Sequence, residues 1–500
     1  MQKVILIITV FMLATQSNAQ LNTFKEGDVI SAEQMNQNFE AILKKSMVVR
    51  STTVDCDAGE TINAALTEGY NDITIFGTCN EEIVAMSLFD GREVGKQERF
   101  PSEPVGHIII TGGEDNRGAV LASQVYSAFQ GSLQLVNLTV TDRISIFANS
   151  FLYMRDVTHI AASGSEGTLR VDENSFVFLQ ESDLSEEITL RKGSTGLIQN
   201  VDLEVSSEGP FIFVEKNSVL ELNDVKITHS SAGFNVSSIK NLDDAEMIVF
   251  AQVNSAISVR NSHFENKNSA AFIIDQGSQL QFRDSEIISD SPFSVGIIGS
   301  QLEGDNLIIS NTSGQPLVLA NRSYGILFGS SVTGKALNSS TITVEGKSFI
   351  NILEGSTIIA EHNGNYDTSS GGETIYVESS STAEIEESTV ENRLNSSGAE
   401  YYTIHADRGS DVKIRNSKIK SSNSILIKAR EGSNIFMDNN EDSPPTEMIR
   451  NTGEGDVELW KRSSLSLGMS LNLKVNCFYQ SSVFKDHDSD SMSLTGCLTD

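Results

Sequence analysis

Five residues near the middle of the chain are best placed, by type and spacing, to do chemistry: Arg260, His263, Arg283, Glu286 and Asp305. Arg260 and Arg283 hold the same place in two consecutive copies of one sequence phrase, and Asp305 holds it in the next. If the copies occupy successive coils of a stack, the three side chains line up at roughly the 4.8 Å spacing of neighbouring strands. His263 and Glu286 line up likewise just past a bend. Guanidinium forks grip a carboxylate, and a histidine beside a glutamate can move a proton. That chemistry suits an acidic sugar such as a uronate. The plainer reading is a solvated surface ladder in which Asp305 screens Arg283. The five are candidate glycan-binding residues, with no catalytic residue and no metal ligand assigned.

The element that must position them is the phrase itself: Asn or Gly, then Ser, then a short alternating strand, then Asn or Asp. Gly131-Ser132 precedes Leu133-Gln134-Leu135-Val136-Asn137, and Asn217-Ser218 precedes Leu220-Glu221-Leu222-Asn223-Asp224. Asn254-Ser255 leads to Asn261, Gly277-Ser278 to Asp284, and Gly409-Ser410 to Asn416. Weaker copies centre on Asp156, Glu181, Asn200, Asn306, Glu354, Glu387 and Asn439. A period of about 19 to 25 residues fits one coil of a β-solenoid, which buries its apolar face only by stacking on its neighbours. About a dozen copies predict a rod of roughly 55–60 Å.

Alternation sends Leu133, Leu135, Val259, Phe282 and Ile414 inward and Gln134, Arg260 and Arg283 outward. Gly or Asn ahead of the strand suits a corner that needs positive φ. The Asn or Asp after it turns the chain again, and stacked copies are expected to form a side-chain ladder inside the solenoid. Seven prolines in 500 residues agree, because proline cannot donate to a central ladder. The regular leucine frame, the 3.6 period and the strict hexapeptides of other repeat folds are missing. The expected fold is all-β: a single-stranded right-handed parallel β-helix with short N-terminal capping helices.

The ends carry their own signals. Lys3, the apolar run Val4–Ala14 and a small-residue stop at Ala19 fit a secretory signal peptide. No later run has the roughly 18 apolar residues of a membrane helix. The expected address is therefore secreted or periplasmic. Residues 20–50 read as a leader in which Ser31 and Gln34 form a capping box and Met35, Phe39, Ile42 and Leu43 share one helical face. That helix packs on the solenoid end or mediates self-association. The β-helix is assigned to 51–462 and a C-terminal closing segment to 463–500. Four cysteines allow three pairings; an oxidising compartment and short separations favour Cys56–Cys79 and Cys477–Cys497, one staple at each end.

The stretch Asp57–Leu66 reads as a short helix, followed by the strands Asp72–Ile83 and His107–Gly113. Here the chain resembles the opening of pectin-lyase-like β-helix proteins, in which a small helix plugs the open apolar end. The resemblance covers roughly residues 54–440. It implies the fold, and it leaves activity open, because one fold hosts many functions.

Motifs narrow the field. The Asn-Thr-Asp, Asp-Asp, Gly-His-Gly and Arg-Ile-Lys series of polygalacturonase-like hydrolases is missing, as is the Trp-x-Asp-His pattern of pectate-lyase-like enzymes. With Trp460 the sole tryptophan, a sugar-stacking platform would rest on tyrosine and phenylalanine. No P-loop, dinucleotide fingerprint or Gly-x-Ser-x-Gly elbow occurs. No cofactor is implied: Asp486-His487-Asp488-Ser489-Asp490 could hold calcium but lacks the glycine and distal glutamate of an EF-hand loop. A net charge of −31 repels nucleic acid. The reading that follows is an exported β-helix that presents an extended surface to extracellular polysaccharide or to proteins, without catalysis. A polysaccharide lyase or glycoside hydrolase is the second reading, with Ser87–Val105 as a cleft-forming loop. A structural spike or filament is the third.

Overall fold

The computed structural model describes residues 49–86, 106–114, 118–160, 169–185, 187–205, 210–230, 247–267, 270–291, 293–335, 339–361, 372–393, 402–422, 425–439, 444–450, 456–468, 473–485 and 493–499. The expected signal peptide, the expected leader helix, the Ser87–Val105 stretch and the Asp486–Asp490 run lie outside them. Of the described residues 64% are strand and 3% helix. Its strands pair in parallel, each with its counterpart one coil away, to form an all-β solenoid, a parallel β-helix. Among the described residues no helix is long and apolar enough to cross a membrane.

One coil shows the plan. Met247–Gln252 forms face one, Ala256–Arg260 face two and His263–Lys267 face three. The next coil repeats it with Ala270–Asp275, Gln279–Arg283 and Glu286–Ser289, in unbroken register. Among the described residues face one alone stacks 17 strands, from Ile83–Met86 to Ser493–Thr495. At the ordinary strand spacing that is a rod of roughly 75 Å, longer than a dozen coils allow. The extra coils lie mostly at the two ends, where the Asn-Ser phrase fades. Another turns at Gly329 (φ 53°), where glycine replaces the usual Asn or Asp. The stack continues through Ser464–Leu467, Ser482–Lys485 and Leu498–Thr499, so strands also run through 463–500.

The corners follow from residues that tolerate left-handed backbone. Between faces one and two, two successive residues have positive φ, as at Val253 and Asn254 (57° and 58°). Between faces two and three one residue does: Asn137, Asp156, Glu181, Asn200, Asp224, Asn261, Asp284, Asn306, Glu354, Glu387 and Asn416 all lie between 48° and 54°. Asn439 does not; its side-chain oxygen instead accepts from Thr446 N at 2.8 Å.

The expected internal ladder of Asn and Asp is corrected by the structure. At Asn261 and Asp284 the left-handed residue is exposed, and the serine that follows it, Ser262 or Ser285, is buried; buried serines at the corners carry the ladder. Ser255 N donates to Ser278 Oγ at 3.1 Å, Ser278 N to Ser300 Oγ at 3.2 Å, and the chain of bonds runs on through Ser323, Ser348, Ser381, Ser410 and Ser433. A second ladder at the other bend links Ser262 to Ser285 and Ser330 to Ser356. Each hydroxyl satisfies a corner N–H that the sheet cannot reach, as buried donors require. Gly131 holds the serine place one coil before Ser150. A Cβ there would lie 2.2 Å from the Ala85 carbonyl oxygen, which accounts for glycine at that corner.

Inward positions form one continuous apolar core, and Leu133, Leu135, Val259, Phe282 and Ile414 are buried in it as alternation requires. Phe264, Phe272 and Phe282 meet edge to face at its centre. A second cluster lies on the outward side of face one, where Met247, Phe250, Ala270 and Ile273 are buried beside Phe213 and Phe293. Face one is thus covered on both sides there. At the N-terminal end the α-helix Ile62–Thr67 is shorter than Asp57–Leu66 suggests, because Gly59 (φ 87°) ends a separate 3-10 turn. Thr61 caps it, and the Glu81 carboxylate accepts from Ile62 N and Asn63 N. Cys56 is bonded to Cys79 and Cys477 to Cys497, one pair near each end.

Candidate functional site

Arg260, Arg283 and Asp305 do stack in register on the outward side of face two. Arg283 Nε lies 3.3 Å from Asp305 Oδ2, with side chains 54% and 41% exposed. Beyond the bend, His263 Nδ1 lies 3.0 Å from Glu286 Oε2. The two pairs stand on different faces. A shallow, solvent-open depression between them is lined by Asn261, His263, Asp284, Glu286, Asn306 and Ile308, and Asn306 Nδ2 donates to Asp284 Oδ1 at 2.9 Å across it. Exposed pairs of this kind contribute about 0–1 kcal/mol. Among the described residues no ion pair engages Arg260, although it stands directly beside Arg283. Like charges opposite one another in a sheet repel.

Two coils further along, face two turns aromatic. Tyr324 and Phe349 stack with ring centroids 5.4 Å apart and planes 3° from parallel. Tyr324 is 39% exposed.

A denser group of functional side chains lies on the outward side of face one, where no sequence phrase points to it. Thr343, Tyr376, His405, Lys428 and Glu458 occupy one register column. His405 Nδ1 lies 3.1 Å from Glu373 Oε1, and Ser340 Oγ donates to Glu373 Oε2 at 3.2 Å. The His405 and Glu373 side chains are only 8% and 14% exposed. Burial alone would raise the Glu373 carboxyl; the hydrogen bond and charge of His405 outweigh it and hold that carboxyl below its usual range. His405 Nε2 is buried with no hydrogen-bond partner among the described residues. Such an atom costs about 1–3 kcal/mol when left unmet.

The imidazole is flanked by the rings of Tyr376 and Tyr402, at 5.1 and 5.4 Å between centroids. Lys428 Nζ sits 4.1 Å from the Tyr402 ring centroid and bonds its hydroxyl. Tyr376 donates to Glu378 Oε2 at 3.1 Å, and burial together with the Glu378 charge raises its hydroxyl well above the usual range. Burial and the charge of Glu378 also raise the Glu345 carboxyl. Arg408 lies 3.0 Å from Glu378 and Arg430 3.9 Å from Asp407. Trp460 stacks on Phe478 at 4.3 Å near the end of the face.

The signal for this cluster was present. Ile375-Tyr376-Val377, Ile404-His405-Ala406, Ile427-Lys428-Ala429 and Val457-Glu458-Leu459 each flank one outward residue with apolar neighbours. The Asn-Ser phrase marks face two, however, and variable lengths between coils hide the register of face one. No family model matches the chain, and no curated protein matches it. Among the described residues no group of three His, Cys, Asp or Glu side chains is arranged to hold a metal ion.

Proposed function

We propose that this protein works outside the cytoplasm as a rigid β-helix, related in fold to pectin-lyase-like proteins, whose ribbed surface binds acidic glycan or partner proteins. The observation that carries the reading is Arg260 in register beside Arg283 on an exposed face. Two adjacent cations in a chain of net charge −31, Arg283 exposed and Arg260 half-buried, would offer an anion a local site against a repulsive background. An extended acidic glycan laid along the axis would place one carboxylate against each guanidinium. Two disulfides suit an oxidising compartment.

Calorimetry with oligogalacturonate, alginate oligomers and neutral oligosaccharides tests the proposal. Acidic oligomers should bind on face two, and their affinity should fall with added salt, as screening demands. Incubation with the same polymers, followed by assay for unsaturated uronates and new reducing ends, tests the lyase and hydrolase reading. Binding without new ends supports a presenting surface.

A further inference from the structure

We infer that the C-terminal part of face two binds a neutral glycan of flat, β-linked type, with Phe436 and Phe484 as its aromatic rungs. This rests on the reading of the protein as a glycan binder and adds a second ligand class, at a site remote from Arg260 and Arg283. Along Asn434–Asp438 the side chains alternate, so Ile435 and Met437 enter the core and Phe436 is sent outward, where it is 41% exposed. Ser466 stands in register on the next coil, and Phe484, 42% exposed, on the one after. Two large rings thus share one column with a serine between them, about 10 Å apart at the ordinary strand spacing. Neither ring fills the core. Their apolar surface stays in water until a ligand covers it.

The polar groups around Phe436 suit hydroxyls. A solvent-open depression of about 400 Å³ lies against its ring, room for one sugar unit of a longer chain. On one side Lys413 is bonded to Glu384, and Arg415 Nη1 lies 3.5 Å from Glu386 Oε1. Each pair cancels its own charge yet keeps spare N–H groups and carboxylate lone pairs at the surface. On the other side Ser466 adds a hydroxyl and Gly468 leaves space, since a Cβ there would lie 2.7 Å from Asp438 Oδ1. Asp438 is exposed and has no ion pair among the described residues, so the depression carries a small acidic excess. An anionic sugar is repelled there, whereas a neutral one meets both donors and acceptors beside an apolar ring. A few polar groups around apolar surface are the usual make-up of a small-ligand site.

The spacing of the rungs selects the linkage. In a flat β-linked chain of the cellulose, xylan or mannan type, alternate rings turn the same C–H face the same way. That face recurs once per disaccharide, a length close to the two-coil step from Phe436 to Phe484. An α-linked chain of the amylose type coils away and cannot lie on both rungs. Face two then takes acidic glycan at its arginines and neutral glycan at its phenylalanines.

The full chain is titrated with cello-, xylo- and manno-oligosaccharides, and with malto-oligosaccharide as the α-linked control. The forms are wild type, Phe436→Ala, Phe436→Tyr, Phe484→Ala and Arg260→Ala/Arg283→Ala. At least one β-linked series should bind the wild type, the Phe436→Tyr protein and the double arginine variant equally. It should bind Phe436→Ala and Phe484→Ala at least about tenfold more weakly, at unchanged melting temperature. In the wild type the ring resonances of Phe436 should move on titration, a readout that needs no variant. A β-linked sugar that binds every form alike, or binds without moving those resonances, overturns the site. Malto-oligosaccharide bound as tightly as the β-linked series overturns it too. If nothing neutral binds while acidic oligomers still bind through the arginines, the phenylalanine site falls and the reading of Arg260 and Arg283 stands. Failure of every sugar, acidic and neutral, removes both.

Discussion

Arg283 and Asp305 face each other from adjacent coils at 3.3 Å, while Arg260, the next rung back, has Arg283 as its in-register neighbour. A single carboxylate thus serves the far end of a three-residue strip. The strip is regular because the backbone ladder beneath it is regular. That regularity depends on the buried serines at the corners.

Removing one of those hydroxyls should be costly out of proportion to its size. Ser300→Ala leaves the N–H of Ser278 without its acceptor and should destabilise the protein by about 1–3 kcal/mol. Ser258→Ala, on an outward position of face two, should stay within about 0.5 kcal/mol. Denaturant midpoints of the two variants check the contrast; equal losses would deny the ladder its role.

Acid should weaken the stack in two stages. Burial lowers the pKa of His107 and His159 below the ordinary 6.5, so the folded form resists protons that the unfolded chain accepts. Their contribution is full above 6.5 and fades as pH falls through the lowered folded values. Glu373 behaves similarly from about 4.5 downward, because its folded pKa is also depressed. Urea midpoints at pH 7, 5.5 and 4 should fall stepwise, and His159→Gln should flatten the first step.

Glu345 has the opposite sign. Its carboxyl is raised by burial and by Glu378, so its contribution is favourable at low pH and lost as pH rises through the raised value. Glu345→Gln should therefore stabilise the protein at pH 7, by at most about 1 kcal/mol for a group only half-buried. Near pH 4 the variant should match the wild type. Thermal melts at the two pH values read the difference.

Reduction should open the ends before the middle. The loops closed by Cys56–Cys79 and Cys477–Cys497 span 23 and 20 residues, so each bond contributes about 3 kcal/mol in the chain-entropy account. Central coils keep neighbours on both sides. Hydrogen exchange after reduction should show early loss of protection at Asp72–Cys79 and Lys474–Phe478, with Ala256–Arg260 unchanged.

The β-helix was legible from Leu133, Val259, Phe282 and their outward neighbours, since a period of two inside a longer repeat has few other solutions. The cysteine pairing was legible from an oxidising compartment together with the short separations. The internal ladder was misassigned because Asn261 and Asp284 stand out in the phrase, whereas Ser262 and Ser285 look like ordinary polar residues until burial is known. The candidate residues lie where the register placed them, Arg260, Arg283 and Asp305 on one face and His263 and Glu286 beyond the bend at Asn261 and Asp284. His405, Glu373 and Lys428 escaped notice because their meeting depends on face-one register, which irregular coil lengths conceal. Local alternation gives direction; only the stack gives partners.

The most direct measurement is the affinity of acidic oligosaccharide for the Arg260→Ala/Arg283→Ala protein, with melting temperature as the control for folding. If face two is the glycan surface, the wild type binds, the double variant loses at least about tenfold in affinity, roughly 1.4 kcal/mol, and the melting temperature holds. Equal binding by both proteins, or no acidic glycan bound by the wild type, would contradict the account.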